Sequence, residues 1–377
     1  MPGYLFAIDR DLHPASFEHV KALCEGLVAK GFPCVMLVFN REGKKESLRE
    51  EEQNGVLICD ASKSRLGKTY SFRFFYGFVR RFRPFCFIAN FEISYPLIAL
   101  AWILRIPCRV IWERGLSTFS DWGYASVSRR KRKTALFRKL IFRMATQVLA
   151  ISQAVRDDLR QVYRVPANKM RLFHNLTKDP LAEPGVLRVD QPHARRIICP
   201  GRIWAMKGQD VLIKAIALLK PDYPDLTVQF AGGGGMRPYC KEMAGKLGLA
   251  KNCYFSGNID HAEMFREMAR AWVAVVPSRS EGFSRVVIES MAVGTPVIAS
   301  CVGGIPELLT DGREGFLVPP ENPEALAEKI ALLLSGRDLR KKMSAQARTT
   351  FLERFDLARH LPSQVEALLR FTSFQIS

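Results

Sequence analysis

Residues 271–295 read AWVAVVPSRSEGFSRVVIESMAVGT, and they carry the clearest evidence of the fold class. It opens with the apolar, β-branched run 271–277, which predicts a short parallel strand that is buried on both faces. After Ser284 the apolar residues recur at helical spacing, as Val287, Ile288, Met291 and Ala292. The pattern therefore predicts a strand, a polar loop and a helix. The loop lies at the carboxyl end of the strand, where open α/β sheets bind their ligands.

This loop combines the features of an anion site with two acidic side chains. A helix that begins near Ser284, a favourable N-cap residue, directs backbone N–H groups and its positive dipole end at the loop. Gly282 allows a phosphate to approach the backbone closely. Glu281 lies in the loop and Glu289 lies one to two turns into the helix; ionised carboxylates only accept hydrogen bonds, which sugar hydroxyls can donate. A nucleotide sugar offers both a phosphate for the anion site and hydroxyls for the carboxylates. The alternative is that Glu281 only caps the loop and Glu289 is a solvated helix residue.

A resemblance to a known family rests on the longer segment 281–300, EGFSRVVIESMAVGTPVIAS. It resembles the E-x7-E signature of the retaining GT-B glycosyltransferases, a group that includes many lipopolysaccharide, capsule and glycolipid sugar transferases. The segments 302–309, 311–318 and 323–327 then follow this family's order of glycine turn, strand and helix. The resemblance implies an α/β protein of the GT-B fold. Such a protein has two Rossmann-like, doubly wound domains facing a cleft, and a C-terminal helix that crosses back to the N-terminal domain.

The resemblance also implies a role for each residue around the loop. Glu281 contacts the donor sugar near its reactive centre, and Glu289 contacts the ribose hydroxyls. The phosphates meet the backbone N–H groups of three consecutive residues, Gly282, Phe283 and Ser284. Gly303 and Gly304 form a neighbouring turn, for which a purely structural role is the alternative.

A second loop supplies positive charge. Residues 201–208 read GRIWAMKG and resemble the family's G-R-x4-K-G element, which assigns Arg202 and Lys207 to the donor diphosphate. Breaking the bond between the anomeric carbon and a nucleoside diphosphate leaves negative charge on the leaving oxygens, and fixed cations lower that barrier. The alternative is a surface arginine and a surface lysine. The resemblance adds three residues to the nucleotide-binding loops: Gly201, Gly257 and Asn258.

The order of apolar runs and helical segments predicts two α/β domains. Short apolar runs alternate with helical segments in the first half of the chain, and the same pattern restarts in the second half. Between them, residues 176–192 contain three prolines, and we place the linker at residues 181–193. We predict an N-terminal, acceptor-binding domain at residues 1–180, completed by about residues 358–377. A C-terminal, nucleotide-sugar-binding domain is predicted at residues 194–357.

The first domain departs from the family pattern in two places. Where family members often carry a Gly-Gly loop after the first strand, residues 9–16 read DRDLHPAS, without glycine. This change predicts an acceptor-facing loop of different shape. His13, in this loop, is a candidate for contact with the acceptor. Many members have a histidine at the end of a middle strand, where this chain has Glu113. Glu113 orients an acceptor hydroxyl or the donor sugar, or it pairs with Arg114 or another cation.

Residues 9–11 also spell D-x-D, a motif that holds a divalent metal in the other major glycosyltransferase fold. There the motif lies within a single nucleotide-binding domain, whereas here the donor loops follow almost two hundred residues later and already supply Arg202 and Lys207. We therefore expect no required metal and no other cofactor. The donor substrate is a nucleotide sugar, and a UDP-linked sugar is one candidate.

The net charge of +19 is concentrated in the first half of the chain. Residues 1–190 carry 32 basic and 18 acidic side chains, or +14, and residues 191–377 carry 24 and 19, or +5. Two segments, 70–85 and 128–145, interleave basic with apolar residues, and the second predicts one packed helix face at Phe137, Leu140, Ile141, Met144 and Val148. Their basic side chains predict contact with an anionic membrane surface. The alternative is that they are only the solvated side of the domain; no motif for binding nucleic acid accompanies them, so we expect no nucleic-acid partner.

Composition limits the location of the protein. The nine cysteines include no C-x-x-C pair and lie mostly in apolar segments, which predicts reduced core residues and no structural zinc. The amino terminus lacks the pattern of a secretory signal, and no apolar run reaches transmembrane length. We expect a cytoplasmic protein that is peripheral on the membrane.

The predicted function is transfer of a sugar, with retention of anomeric configuration, from a nucleotide-diphosphate sugar to a lipid-linked or membrane-associated glycan. Retention follows from the resemblance alone. Two other classes stay open. One is a phosphorylase or epimerase on the GT-B fold, which needs a phosphate site or acid–base groups that are not visible in the sequence. The other is a catalytically degenerate, basic module that binds membranes or nucleic acids.

Overall fold

The computed structural model of the chain describes residues 3–9, 14–40, 49–62, 72–90, 94–117, 128–182 and 192–373. It divides into two compact units. The first unit consists of Met1–Arg114, Ser126–Leu176 and Leu357–Ser377, and the second consists of Gly115–Ala125 and Thr177–Asp356. Each unit is built around its own sheet.

The described residues form fourteen strands and twelve α-helices. The strands of the first unit are β1 (Tyr4–Asp9), β2 (Cys34–Asn40), β3 (Arg49–Gln53), β4 (Val56–Ser62), β5 (Cys86–Asn90), β6 (Cys108–Glu113), β7 (Gln147–Ala150) and β8 (Met170–Leu172). Those of the second unit are β9 (His193–Pro200), β10 (Thr227–Ala231), β11 (Cys253–Gly257), β12 (Ala271–Val276), β13 (Val297–Ser300) and β14 (Gly315–Val318). The helices are α1 (Pro14–Ala29), α2 (Phe72–Phe82), α3 (Tyr95–Ile103), α4 (Ser128–Met144), α5 (Gln153–Val162), α6 (Gln209–Leu219), α7 (Arg237–Lys246), α8 (His261–Arg270), α9 (Arg285–Ala292), α10 (Pro323–Ser335), α11 (Arg337–Arg354) and α12 (Leu357–Ser373).

The first unit has an eight-stranded sheet in the order β3-β4-β2-β1-β5-β6-β7-β8. All neighbouring strands are parallel except β3 and β4. The chain builds outward from β1 to β2 and β4 on one side and from β5 to β8 on the other, so the direction of winding reverses between β1 and β5. Strand β5 is buried along its whole length, because in a doubly wound sheet helices cover both faces.

The last helix, α12, belongs to the first unit and packs against α1. The Tyr4 hydroxyl lies 2.6 Å from Oγ1 of Thr372, and His19 Nε2 lies 2.8 Å from Oε1 of Gln364. Gly26 permits this close approach, because a Cβ at that position would lie 2.6 Å from a methyl group of Val365. The C-terminal helix therefore returns to the N-terminal domain, as the family resemblance implies.

The second unit has a six-stranded, fully parallel sheet in the order β11-β10-β9-β12-β13-β14. Its winding reverses between β9 and β12. Strand β12 is buried at every residue, and the apolar side chains of α9, Val287, Ile288, Met291 and Ala292, are buried as well. The strand–loop–helix order read from residues 271–295 is thus confirmed, and the two α/β units confirm the predicted fold class.

Two strands of the first unit were not predicted from the sequence. Strand β3 is an antiparallel edge strand with the sequence REEEQ, which lacks the apolar pattern by which strands are predicted. Charged residues are typical of edge strands, because they discourage pairing with further strands. Strand β8 has only three residues. The second unit begins at Thr177, where the Thr177 N–H donates to the Phe355 carbonyl and Asp179 pairs with Arg348, both in the second unit. The linker at residues 181–193 stays a prediction, because residues 183–191 lie outside the described ranges.

Helix α4 buries only part of the face that its pattern predicts: Ile141 and, beyond the helix, Val148 are buried, but two other members are not. Phe137 and Leu140 are 45% and 48% exposed. The buried side of the helix consists of Arg138, Ile141 and Phe142. The helix is rotated in this way because Arg138 reaches inward to a buried carboxylate, that of Glu113.

All nine cysteines are free thiols, and eight of them are buried, as predicted for core residues; Cys301 is the exposed exception. Within the described ranges, no helix has both the length and the apolar character that crossing a bilayer requires.

Candidate functional site

Two loops of the second unit meet where the winding of its sheet reverses. Strands β9 and β12 are neighbours, and the loops that follow them carry residues 201–208 and 277–284. In open α/β sheets the crevice at such a reversal point is the usual place for a ligand. The structure therefore brings together the basic loop and the acidic loop that the sequence singles out.

A short ion pair between these loops joins Lys207 and Glu281. Lys207 Nζ donates to Oε1 of Glu281 over 2.5 Å, and the Ser278 hydroxyl donates to the same oxygen over 3.2 Å. Glu281 is only 7% exposed, whereas the Lys207 side chain is about one-quarter exposed. A partly buried ion pair of this kind interacts more strongly than one in bulk water. It fixes a carboxylate and a cation side by side at the mouth of the loop.

Two glycines allow the loops to pack this closely. Gly208 has φ +66°, and a Cβ there would overlap the carbonyl oxygen of Pro277. Gly303 has φ +52°, and a Cβ there would overlap the carbonyl oxygen of Glu281. The Gly304 N–H also donates to that carbonyl over 3.1 Å. The Gly-Gly turn after β13 thus supports the backbone of Glu281.

Arg279, which the sequence reading missed, fastens the two loops to each other. Its guanidinium donates two hydrogen bonds to the carboxylate of Asp210, over 2.9 and 2.7 Å, and also pairs with Glu321. Its backbone N–H donates to the Met206 carbonyl over 2.8 Å. Hydrogen bonding to Asp210 and, to a smaller extent, to Glu321 raises the pKa of Arg279 above its usual range. No local sequence pattern predicts this role, because Arg279 and Asp210 are 69 positions apart in the chain.

Helix α9 begins at this site. Ser284 occupies the N-cap position with extended backbone angles, φ −72° and ψ 109°, as predicted, but its side chain does not cap the helix. Its hydroxyl oxygen is buried without a hydrogen-bond partner among the described residues. Gly282 and Phe283, the other residues predicted to contact phosphates, are buried beside it. The Phe283 ring packs edge-on against the Phe355 ring, with 6.1 Å between the ring centroids. The side chain of Phe283 is therefore a packing element.

Glu289 lies one turn into α9 and is 6% exposed. His261, at the start of α8, lies with Nε2 3.1 Å from Glu289 Oε1. Arg285 Nε lies 4.0 Å from the same oxygen. Burial lowers the pKa of Arg285, and the charge of Glu289 partly opposes that shift. His261 and Arg285 were not predicted, although both stand next to predicted segments.

The remaining predicted loops form a connected set at the same edge of the sheet. The Gly201 N–H donates to the Ala231 carbonyl, and the Gly233 N–H donates to Oδ1 of Asn258 over 2.7 Å. Gly201 and Gly257 have φ +119° and +75°, conformations that favour glycine. Arg202 is exposed, and its Cζ lies 5.2 Å from the ring centroid of Trp204. The structure thus places Arg202 at the surface of the loop and Asn258 as a brace between two loops.

Glu113 lies in the first unit, at the end of β6, and is buried. Its Oε2 accepts hydrogen bonds from Arg138 Nη2, over 2.9 Å, and from the Tyr95 hydroxyl. Its Oε1 accepts from the backbone N–H of Arg114 over 3.1 Å. Of the two interpretations of Glu113, the structure shows the ion pair with a cation, and that cation is Arg138. A contact between Glu113 and a substrate stays a prediction.

Several predicted features lie outside the described residues. His13 and Asp11 fall in residues 10–13, and the side chain of Asp9 is likewise not described. The D-x-D interpretation and the expectation of no metal therefore stay predictions. The side chains of the basic run 128–133 are also outside the described set, although the backbone there is part of α4.

Comparison with known proteins agrees with this architecture. The family model described as "Glycosyl transferases group 1" matches residues 190–350, and that described as "Glycosyltransferase Family 4" matches residues 17–177. Among curated proteins, the D-inositol 3-phosphate glycosyltransferase of Streptomyces scabiei is 31% identical over 223 residues. The glycogen synthase of Mycobacterium tuberculosis is 25% identical over 265 residues. These alignments cover 55% and 70% of this chain, but only 50% and 63% of the relatives.

Solved structures share the fold over nearly the whole chain. The sucrose-phosphate synthase of Thermosynechococcus elongatus superposes with a TM-score of 0.81 and 23% identity, covering 100% of both chains. Anabaena HepE in complex with UDP-glucose gives 0.76 and 21%, covering 98% of this chain and 100% of the other. WaaG, a glycosyltransferase involved in lipopolysaccharide biosynthesis, gives 0.70 and 16%, covering 97% and 99%. The two family models together span most of the chain, which therefore belongs to the GT-B glycosyltransferases, with a family 4 segment at residues 17–177 and a group 1 segment at residues 190–350.

Proposed function

We propose that this protein transfers a sugar from a nucleotide-diphosphate donor to a glycan or glycolipid acceptor, with retention of anomeric configuration. The observation that carries the proposal is the 2.5 Å contact between Lys207 and Glu281 at the reversal point of the second sheet. A cation at this position can neutralise a leaving diphosphate, and a carboxylate beside it can accept hydrogen bonds from sugar hydroxyls.

The donor diphosphate binds between the basic loop and the N-terminus of α9. Lys207 and Arg202 supply positive charge from one side. From the other side come the dipole of α9 and the buried hydroxyl of Ser284, which has no partner in the described part of the chain. A buried hydroxyl without a partner costs free energy, which a phosphate oxygen that accepts its hydrogen bond would recover. Glu289, held by His261, accepts hydrogen bonds from the ribose.

The chemistry needs little from the side chains beyond this arrangement. The bond between the anomeric carbon and the diphosphate oxygen breaks, and the acceptor oxygen forms its bond on the same face of the sugar. The acceptor proton passes to an oxygen of the departing diphosphate. Lys207 and Arg202 stabilise the charge that develops on that diphosphate, and Glu281 orients the sugar. UDP-sugars are the first donors to test, because the similar HepE structure holds UDP-glucose.

The acceptor is presented at a membrane surface, which the protein approaches through α4. Leu136, Phe137 and Leu140 of this helix are 70%, 45% and 48% exposed, and Arg143 is exposed near them. Neighbouring α3 adds exposed Trp102 and Ile103 at its end. Apolar side chains among basic ones are typical of surfaces that insert into anionic lipid headgroups. The charge of +14 on residues 1–190 complements such lipids.

A donor panel tests this proposal. Purified protein is incubated with UDP-, GDP-, ADP- and TDP-linked sugars and a lipid-extract acceptor fraction, and the anomeric signals are followed by proton NMR. The proposal predicts that one donor is consumed and that the new glycosidic bond has the donor's anomeric configuration. It also predicts that Glu281→Ala abolishes transfer while the circular dichroism spectrum is unchanged. Inversion at the anomeric carbon, or full turnover by Glu281→Ala, contradicts it.

A further inference from the structure

A cationic side chain, that of Arg237, lies at the carboxyl edge of the second sheet, beside the loop that follows β11. Arg237 is the first residue of α7. Its Nη2 donates to the Phe255 carbonyl over 2.9 Å. A Cβ at Gly257, the last residue of β11, would lie 3.8 Å from Nη1. The guanidinium therefore packs directly against the backbone where β11 ends.

Most of the hydrogen-bonding capacity of this guanidinium is unused. A guanidinium only donates hydrogen bonds, through five N–H groups. Among the residues that the structure describes, Arg237 forms no ion pair, and its side chain donates to the Phe255 carbonyl alone. Its Nε is buried and has no acceptor in this part of the chain. A buried donor costs free energy until it meets an acceptor, so this position favours a ligand that accepts hydrogen bonds.

A neutral amide beside Arg237 presents the same kind of group. Asn258 is the first residue after β11 and is exposed. Its Oδ1 accepts from the Gly233 N–H over 2.7 Å, which leaves the NH2 group as the end that a ligand can contact. Asp260, the acidic residue of this loop, accepts instead from the Glu263 N–H at the start of α8. Two N–H donors, one of them cationic, thus flank the end of β11.

The order of groups in a nucleotide sugar points the nucleobase toward this loop. In the proposed function the sugar lies at Glu281 and the ribose lies at Glu289. Glu289 Oε1 lies 3.1 Å from Nε2 of His261, which begins α8 directly after loop residues 258–260. The base is attached to the ribose on the side away from the diphosphate. It therefore extends toward residues 258–260 and the N–H donors around them.

We propose that Arg237, together with the Asn258 amide, selects a donor whose base presents a carbonyl oxygen at its edge: uracil, thymine or guanine, rather than cytosine or adenine. This inference rests on the proposed transferase function and specifies its donor class. Uracil, thymine and guanine carry O4 or O6 where cytosine and adenine carry an NH2 group. The oxygen accepts from Arg237, whereas an NH2 group in its place meets another donor and leaves both without a partner.

The test compares nucleoside diphosphates that differ at this position of the base. UDP and CDP differ only there, TDP differs from CDP there and by a methyl group, and GDP differs from ADP there and by the 2-amino group. Their affinities are measured by isothermal titration calorimetry in the wild-type protein and in three variants. Arg237→Gln substitutes an amide, which offers both a donor and an acceptor and so accommodates either kind of base. Arg237→Lys keeps a cationic donor. Arg337→Gln removes the same charge from the exposed first residue of α11 and is the matched control.

We expect the wild-type protein to bind UDP, TDP or GDP most tightly, and to bind the amino counterpart of that diphosphate at least about tenfold more weakly. Arg237→Gln reduces this affinity ratio at least threefold, whereas Arg237→Lys and Arg337→Gln keep it. Tightest binding of CDP or ADP, or a ratio below tenfold in the wild-type protein, overturns the inference whatever the variants do. An unchanged ratio in Arg237→Gln also overturns it, because a purely structural bond to the Phe255 carbonyl affects both members of a pair alike.

Failure of this inference is distinguishable from failure of the transferase proposal. Lys207→Met is titrated in parallel with the tightest diphosphate. If that diphosphate binds and its affinity depends on Lys207 while the edge of the base makes no difference, only the role of Arg237 is wrong. If no nucleoside diphosphate binds the wild-type protein, the proposed function fails and the inference fails with it.

Discussion

The Nζ of Lys207 lies 2.5 Å from Oε1 of Glu281, although the two residues are 74 positions apart in the chain. Neighbouring strands β9 and β12 bring them together, and Gly208 and Gly303 allow their loops to approach. Arg279 then holds both loops through Asp210 and the Met206 carbonyl. The packing of the two loops therefore holds the ion pair in place. The pair lies at the reversal point of the sheet, where open α/β sheets usually bind their ligands.

Loss of the Lys207 charge should slow transfer strongly. Lys207→Met removes a cation that stabilises the leaving diphosphate, and we expect kcat/KM to fall about 10²–10³-fold. The measurement is the initial rate of donor consumption with the active nucleotide sugar. Lys214→Met, which removes an exposed charge from α6, is the matched control and should stay within twofold of wild type. Equal rates in both variants would remove Lys207 from the site.

The backbone of Glu281 should be sensitive to a single methyl group. Gly303→Ala introduces a Cβ that overlaps the Glu281 carbonyl oxygen, so the loop must shift and activity should fall at least tenfold. Gly312→Ala is the control, because Gly312 also has positive φ, +77°, but a Cβ there would meet no described atom within 4 Å. We expect the control to lose only about 1–2 kcal/mol of stability. Similar activity in the two variants would contradict the proposed support of Glu281.

Much of the second unit could be predicted because its elements follow local patterns. The buried run 271–277 and the helical spacing after Ser284 predict β12 and α9 closely. Arg202 and Lys207 are recognisable because residues 201–208 resemble the family's G-R-x4-K-G element. Arg279, in contrast, acts through Asp210 across the fold, and nothing local distinguishes it from a solvated arginine. The unsatisfied hydroxyl of Ser284 is likewise visible only in the structure, where it lacks a partner among the described residues.

The first unit was harder to predict for a related reason. Helix α4 carries apolar residues on more than one side, so its periodicity does not decide which side is buried. That choice depends on the pairing of Arg138 with Glu113, a contact between residues 25 positions apart. The same contact decides between the two interpretations of Glu113. Long-range ion pairs of this kind lie beyond pattern reading, because no local sequence feature encodes them.

Glu113 should matter for stability. The Arg138 and Glu113 side chains are both almost fully buried, so Glu113→Gln breaks a buried ion pair and should cost about 3–5 kcal/mol. The measurement is urea denaturation followed by circular dichroism. Glu242→Gln breaks an exposed pair with Lys246 and should cost at most about 1 kcal/mol. The double variant Glu113→Gln with Arg138→Met should recover part of the loss; unchanged stability of Glu113→Gln would refute a structural ion pair.

The exposed face of α4 should bind anionic membranes. Phe137→Ser combined with Leu140→Ser removes apolar contact area and should reduce sedimentation with phosphatidylglycerol vesicles at least fivefold. Leu218→Ser and Leu332→Ser, at exposed positions of the second unit, form the control pair. Binding should also weaken as salt rises, because the basic side chains contribute through screened charge. Equal sedimentation of both double variants would show that α4 is not the contact surface.

The most direct test of the donor site is calorimetric titration of nucleoside diphosphates, UDP first, into the wild-type protein, Lys207→Met and Lys214→Met. The donor assignment predicts one bound equivalent of a single preferred diphosphate in wild type and Lys214→Met, and at least a tenfold weaker affinity in Lys207→Met. Absence of binding by every nucleoside diphosphate, or equal affinity in all three proteins, would contradict the assignment of the Lys207–Glu281 edge to a nucleotide sugar.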